Sequence, residues 1–271
     1  MPNHDPIDPR YAPLPGRFAK FIATRRDVRV AVPTAVAACM ILALVAGNVL
    51  ADAYDAARND LLEQIQRDAA DTGGLTGRRG FSPETMAALR RVPRHEFVRK
   101  EHLSLAYANR PLPIGYGQTI SQPYIVALMT DLLDLSRDQR LLEVGTGSGY
   151  QAAVAAEVAG HVYTVEIIGA LAGQARDRLK NLGVANVTVR RADGYHGWPR
   201  HAPFDAIIVT AAADHIPPPL VRQLRPGGRM VIPVGPRFLT QQLVLIEKAH
   251  DGRVTARQLL PVRFVPLTRK P

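Results

Sequence analysis

The sequence predicts an α/β protein with a mostly parallel sheet and helices on both faces. Three observations carry that prediction. From residue 140 onward, apolar strand-like runs alternate with helix-like runs. The first such strand ends in the glycine-rich turn Glu143-Val-Gly-Thr-Gly-Ser-Gly-Tyr150 and opens a helix. The next strand, His161–Glu166, ends in an acid about 20 residues past the glycines, where a carboxylate can take both hydroxyls of a ribose.

The elements follow in order. Residues 1–51 form a polar, basic extension: proline-rich sequence to Pro15, cations at Arg17, Lys20, Arg25, Arg26 and Arg29, then an apolar stretch over 30–46. That stretch fits a cleaved export signal or an anchor through residues 17–51, and membrane contact through 30–46 follows from either. A third reading starts the working protein later, at Met40. Asp52 to Ala70 has apolar residues at helical spacing (Tyr54, Ala57, Leu61, Leu62, Ile65), with Asp71-Thr-Gly-Gly74 expected to break the helix. Ser82-Pro-Glu-Thr85 reads as an N-cap with proline at the first helical position, leading a helix to Val92. A loop layer, Val92–Val98 and Arg110–Gly117, precedes a helix from Pro123 to Leu133.

The remaining expectations are a strand near Arg140, a helix over 151–158, a strand at His161–Glu166 and a helix at Ile168–Asn181. Strands at Val187–Arg191 and Phe204–Val209 come next, then a helix at His215–Leu224 and strands at Arg229–Val234, Gln242–Glu247 and Arg253–Val265. The closing strands have no helix between them and suggest an antiparallel edge. This divides the chain into an extension (1–51), a helical layer (52–110) and a ligand-binding domain (111–271).

The glycine spacing separates cofactors. A dinucleotide fingerprint would place its third glycine at Tyr150; here it comes one residue early. Glu143 at the strand end would repel a pyrophosphate but suits a cationic amino-acid portion. S-adenosylmethionine has that cation and no phosphate. Asp193, closing the Val187–Arg191 strand, can accept from an adenine amino group, or it is a turn residue.

Composition narrows the chemistry. Of the formal charge of +10, residues 1–51 contribute +3 (six Lys/Arg, three Asp/Glu) and the rest +7. The cations are scattered, so no dedicated nucleic-acid track is expected. The single cysteine, Cys39, allows no disulfide framework, and the histidines show no ligand spacing, so no metal is expected. After Phe204–Val209 the chain has Thr210-Ala-Ala-Ala213 where amino methyltransferases of nucleic acids carry an Asn/Asp-Pro-Pro-aromatic turn. Base-amine methylation is disfavoured, and cytosine C5 methylation lacks its cysteine.

Taken together, Val92-Pro-Arg-x-x-Phe-Val98, Leu112-Pro-Ile-Gly115, Gly117-Gln-Thr-Ile-Ser-Gln-Pro123, Glu143–Tyr150, Phe204–Ala212 and Arg263-Phe-Val-Pro-Leu267 resemble the protein-L-isoaspartate O-methyltransferase family, from about residue 55 onward. The resemblance implies a Rossmann-like, S-adenosylmethionine-dependent fold with a seven-stranded sheet. It implies methylation of isoaspartyl residues in damaged proteins and peptides, with Ser121 and nearby Thr119 holding the substrate carboxylate. It further implies a cofactor site of Glu143, Gly145, Thr146, Gly147, Ser148, Gly149, Glu166, Asp193 and Gly194, covered by Thr268. A purely structural alternative for Thr119 and Ser121 is capping of the Pro123 helix. Such a cofactor points to the cytoplasm, against the export or inner-membrane reading of residues 17–51. Methylation of RNA or a small molecule, and a non-catalytic exported binding protein, stay open as other functions.

Overall fold

The computed structural model describes residues 34–237 and 239–269, with side chains from residue 54 onward. Cys39 and the apolar stretch 30–46 therefore lie outside the described residues, at least in their side chains. The chain divides into two units, Met1–Asn48 and Val49–Pro271, and every strand belongs to the second.

Helix α1 (Thr34–Thr76) buries Leu61, Leu62 and Ile65 of the stripe that the helical spacing predicts, and Ala69 beyond it, with Tyr54 and Ala57 half-buried. It does not stop before Asp71-Thr-Gly-Gly74. A tertiary hydrogen bond helps carry it one and a half turns further: the Thr72 hydroxyl bonds the Tyr124 hydroxyl at 2.5 Å, and within the added turns the fully buried Thr76 hydroxyl donates back to the Thr72 carbonyl at 3.2 Å. A helical glycine costs only about 1 kcal/mol relative to alanine, and at Gly73 a Cβ would lie 2.5 Å from Arg79 Cγ, so the small residue is required there. Gly77, left-handed at φ 75°, then ends the helix, its N–H donating to the Gly73 carbonyl.

Helix α2 (Pro83–Arg91) starts as expected, with the Ser82 hydroxyl accepting from the Thr85 N–H at 3.2 Å. The loop layer is more ordered than the sequence suggests. It contains two 3₁₀ turns, Arg94–Phe97 and Lys100–Leu105, and an antiparallel hairpin of β1 (Leu112–Gly115) and β2 (Gln118–Ile120). Helix α3 (Pro123–Leu132) is buried along its whole length.

The main sheet has seven strands: β3 (Arg140–Val144), β4 (His161–Glu166), β5 (Val187–Arg191), β6 (Phe204–Val209), β7 (Leu224–Val234), β8 (Gln241–Lys248) and β9 (Val254–Val262). Their order is β5-β4-β3-β6-β7-β8-β9. Pairings from β5 through β7 are parallel, and β7–β8 and β8–β9 are antiparallel, the expected edge. Helices α4 (Tyr150–Ala156), α5 (Gly169–Asn181) and α6 (Pro218–Gln223) make three of the crossovers, and two 3₁₀ turns, Gly194–His196 and Pro199–His201, lie in the fourth, from β5 to β6. Helix α6 is shorter than predicted. Residues that precede a proline avoid helical geometry, so Pro217 stays extended before Pro218, where the helix begins. Strand β9 also ends early, at Val262. After it the chain leaves the sheet edge and pairs with Ala212 instead, through Ala212 N–H to Val265 O at 2.8 Å and Leu267 N–H to Ala212 O at 2.7 Å.

The chain winds outward from β3 to β5 and returns to β6 on the other side of β3. Such a reversal leaves a crevice beyond the carboxyl ends of β3 and β6.

Candidate active site

The glycine turn lies at that crevice. Gly145, Gly147 and Gly149 all take left-handed φ values, 100°, 53° and 90°, where a side chain is strained. The N–H groups of Gly145 and Thr146 both donate to the Val165 carbonyl, at 2.8 and 3.2 Å, which ties the turn to β4. From β6 the Thr210 hydroxyl donates to the Gly145 carbonyl at 2.6 Å and lies 3.0 Å from that of Val144, so the crevice is closed at its base. A Cβ on Gly145 would run into that Thr210 hydroxyl.

Two carboxylates serve this turn differently. Glu166 accepts the Gly147 N–H on Oε2 and the Ile168 N–H on Oε1, both at 2.9 Å, and lines the cavity above. Glu143 is completely buried one residue before the cavity wall, and neither of its oxygens has a hydrogen-bond partner among the described residues. Burial pushes its pKa up to about 8, against the opposing pull of the nearby Thr164 hydroxyl and with a smaller upward push from the charge of Glu166. A buried acid left without a partner fits a cationic group brought to the turn.

Ser121 and Thr119 line the same cavity as Gly145, Thr146, Gly147, Ser148, Glu166, Gly194 and Thr268. Neither hydroxyl caps α3, whose N-cap residue Gln122 makes no side-chain cap bond. The β1–β2 hairpin brings them in: Thr119 stands opposite Pro113, and Ile114 packs within 3.4 Å of where a Gly147 side chain would begin. Beneath them Arg94, fully buried, donates from Nη2 to the Ser121 carbonyl at 2.8 Å and from Nε to the Ala106 carbonyl at 3.0 Å. Its guanidinium lies over the Tyr150 ring, 4.8 Å from the centroid. Among the described residues no cluster of three metal-ligating side chains is assembled.

Three residues expected at the site lie outside the cavity wall: Glu143, behind it; Gly149, whose missing side chain faces Ala175 and Leu179 of α5 at 3.4 and 3.5 Å; and Asp193. Asp193 behaves as a turn residue, Oδ1 accepting the Tyr195 N–H at 3.0 Å, with Arg269 3.9 Å from Oδ2. The neighbouring Gly194 does reach the cavity, packed so tightly that a Cβ would collide with Val144. Sequence reasoning missed Thr210, Arg94 and Val265–Leu267, which pair with Ala212 to form one wall. Arg94 was visible only as one letter of Val92-Pro-Arg-x-x-Phe-Val98.

Fold and site together define a methyltransferase of the Rossmann-like, S-adenosylmethionine-dependent class. The family profile for protein-L-isoaspartate(D-aspartate) O-methyltransferase matches residues 76–271. The chain belongs to that family. It is 58% identical over 232 residues to protein-L-isoaspartate O-methyltransferase 2 of Syntrophobacter fumaroxidans, covering 84% of this chain and 94% of that protein. Protein-L-isoaspartate O-methyltransferase 2 of a Polaromonas species is 62% identical over 208 residues, 77% of this chain and 99% of that one. A solved protein-L-isoaspartate O-methyltransferase superposes with a TM-score of 0.67 at 30% identity, over 77% of this chain and 65% of that chain.

Proposed function

We propose that the protein transfers a methyl group from S-adenosylmethionine to the free α-carboxylate of L-isoaspartyl residues in damaged proteins and peptides. The observation that carries this reading is the meeting of Ser121 and Thr119 with the glycine turn and Glu166 in one cavity.

An isoaspartyl carboxylate has a pKa near ~4, so at neutral pH it is an ionised nucleophile that needs no general base. The chain's task is therefore placement. Ser121 and Thr119 donate hydroxyl hydrogen bonds to one carboxylate oxygen and leave the other free to attack. Gly145, Thr146, Gly147, Ser148 and Gly194 give the cofactor a close backbone bed, Glu166 takes its ribose hydroxyls, and Thr268 covers it. Glu143, Gly149 and Asp193 act from behind: Glu143 by charge, Gly149 by shaping the turn into α4, Asp193 by accepting the Tyr195 N–H and so capping the turn that carries Gly194. The cofactor, when bound, supplies an electrophilic methyl on a sulfonium. Orientation of the two groups and exclusion of water would lower the barrier as the carboxylate oxygen takes the methyl and S-adenosylhomocysteine is left; the ester then closes to a succinimide when the following backbone amide nitrogen attacks it and methanol departs, without further help from the protein.

The test is incubation with labelled S-adenosylmethionine and a matched pair of peptides, one isoaspartyl and one aspartyl. Label in the isoaspartyl peptide alone is expected. Equal label in both, or in neither, overturns the reading. We place the reaction in the cytoplasm, where the cofactor is made. Among the described residues no helix is long and apolar enough to cross a membrane; cell fractionation with sequencing of the mature N-terminus tests the placement, and recovery outside the cytoplasm would overturn it.

A further inference from the structure

The cleft continues past the two hydroxyls. A second cavity, of about 370 Å³, shares Thr119, Ser121, Thr210 and Val265 with the first and extends toward the residues after β9. Pro111, Ile125 and Phe264 give it an apolar floor, and Gln122 and Thr240 add polar groups. An isoaspartyl residue within a protein has chain on both sides, and only its carboxylate needs to pass the hydroxyls. The rest of the substrate must run through the space that opens beside them.

One ionisable side chain lines that space among the described residues, Arg263, which is exposed where the chain leaves the sheet. Arg263 pairs with no carboxylate among the described residues, like Arg257 of β9 and unlike Arg269, which pairs with Asp193, so its charge is available to a ligand in the groove. A guanidinium on the rim of a groove, with no internal partner, complements an anion on whatever occupies the groove.

We propose that the second cavity holds the substrate chain next to the isoaspartyl residue and that Arg263 selects for an acidic side chain at the adjoining position. This rests on the reading of Ser121 and Thr119 as the carboxylate site. Exposed charge pairs are weak, so the expected preference is about two- to fivefold in KM, with kcat unchanged, and it fades as salt rises.

Two peptide sets test it, one varying the residue before the isoaspartyl and one the residue after, each with Glu, Ala or Lys. In one set KM is expected to rise in the order Glu, Ala, Lys. Arg263→Gln should flatten that order and Arg263→Glu should reverse it; both substitutions are at an exposed position and leave the core intact. The proposal is overturned if neither set shows an order, or if the order is the same in the wild type and both variants while the alanine peptides are still methylated. No methylation of the alanine peptides by the wild type would instead overturn the carboxylate assignment, and this proposal with it.

Discussion

The buried guanidinium of Arg94 donates from Nη2 to the main-chain carbonyl of Ser121 at 2.8 Å while lying over the ring of Tyr150, the first residue of α4. One side chain thus ties the segment bearing the hydroxyls to the segment bearing the glycine turn. In Arg94→Met, the Ser121 and Ala106 carbonyls lose their donor, at about 1–3 kcal/mol for each buried group left unsatisfied. Melting should drop by several degrees, and KM for an isoaspartyl peptide should rise more than the dissociation constant of S-adenosylhomocysteine. Thermal melts with steady-state kinetics check this; equal losses in both affinities would contradict it.

Ser121→Ala should keep cofactor affinity within about twofold and lose about 10- to 100-fold in kcat/KM, the loss expected when one positioning hydrogen bond of ~1.4–2.7 kcal/mol is removed. Calorimetry beside a methylation assay decides. Loss of cofactor affinity would show that Ser121 serves the other ligand.

Glu143 makes a pH prediction. Its pKa is raised to about 8 in the fold from an ordinary value of 4.5, so between those limits the folded state holds a proton the unfolded state lacks. Its stabilising share is fully present below the ordinary value and is lost as pH rises to about 8, by up to ~1.4 kcal/mol per unit. Glu143→Gln should flatten this slope and stabilise the ligand-free protein at pH 8. It should also weaken binding of the cationic cofactor, which in the wild type releases a proton as Glu143 ionises. Denaturant melts from pH 5 to 9, and titration calorimetry in two buffers of different ionisation enthalpy, provide the measurements.

Gly145→Ala should be among the most damaging substitutions. The new methyl meets the Thr210 hydroxyl, and the φ of 100° is one that side chains rarely adopt. A cost of roughly 1–3 kcal/mol is expected from the strain alone, with cofactor binding abolished because the turn must move. Thr210→Ala combined with Gly145→Ala should recover part of the stability; no recovery would place the damage elsewhere.

Much of this was legible in the chain. β5 and β6 span Val187–Arg191 and Phe204–Val209, the bounds expected: β6 is a buried parallel strand that shows as a short apolar stretch, while β5, half-buried to exposed at the sheet edge, is marked by its β-branched Val187-Thr-Val189. The glycine turn, Glu166 and Ser121 were readable for the same reason: local spacing dictates their chemistry. The features that stayed hidden depend on partners distant in sequence. α1 continues through Gly73-Gly74 because Thr72 meets Tyr124, 52 residues away. Thr210 drew notice in sequence only for the turn it replaces, yet its hydroxyl reaches Gly145, 65 residues earlier. Asp193 stands just past a strand end, and spacing cannot choose between the two readings the sequence offers for it, adenine acceptor or turn residue; its carboxylate, turned onto the Tyr195 N–H, takes the second.

The wall formed by Val265–Thr268 comes after the last strand in the order of synthesis, although it borders a pocket begun at β3. The segment is fastened to Ala212 by two main-chain hydrogen bonds, so its anchorage belongs to the backbone, and side-chain changes along it alter what a ligand meets without altering how the wall is attached.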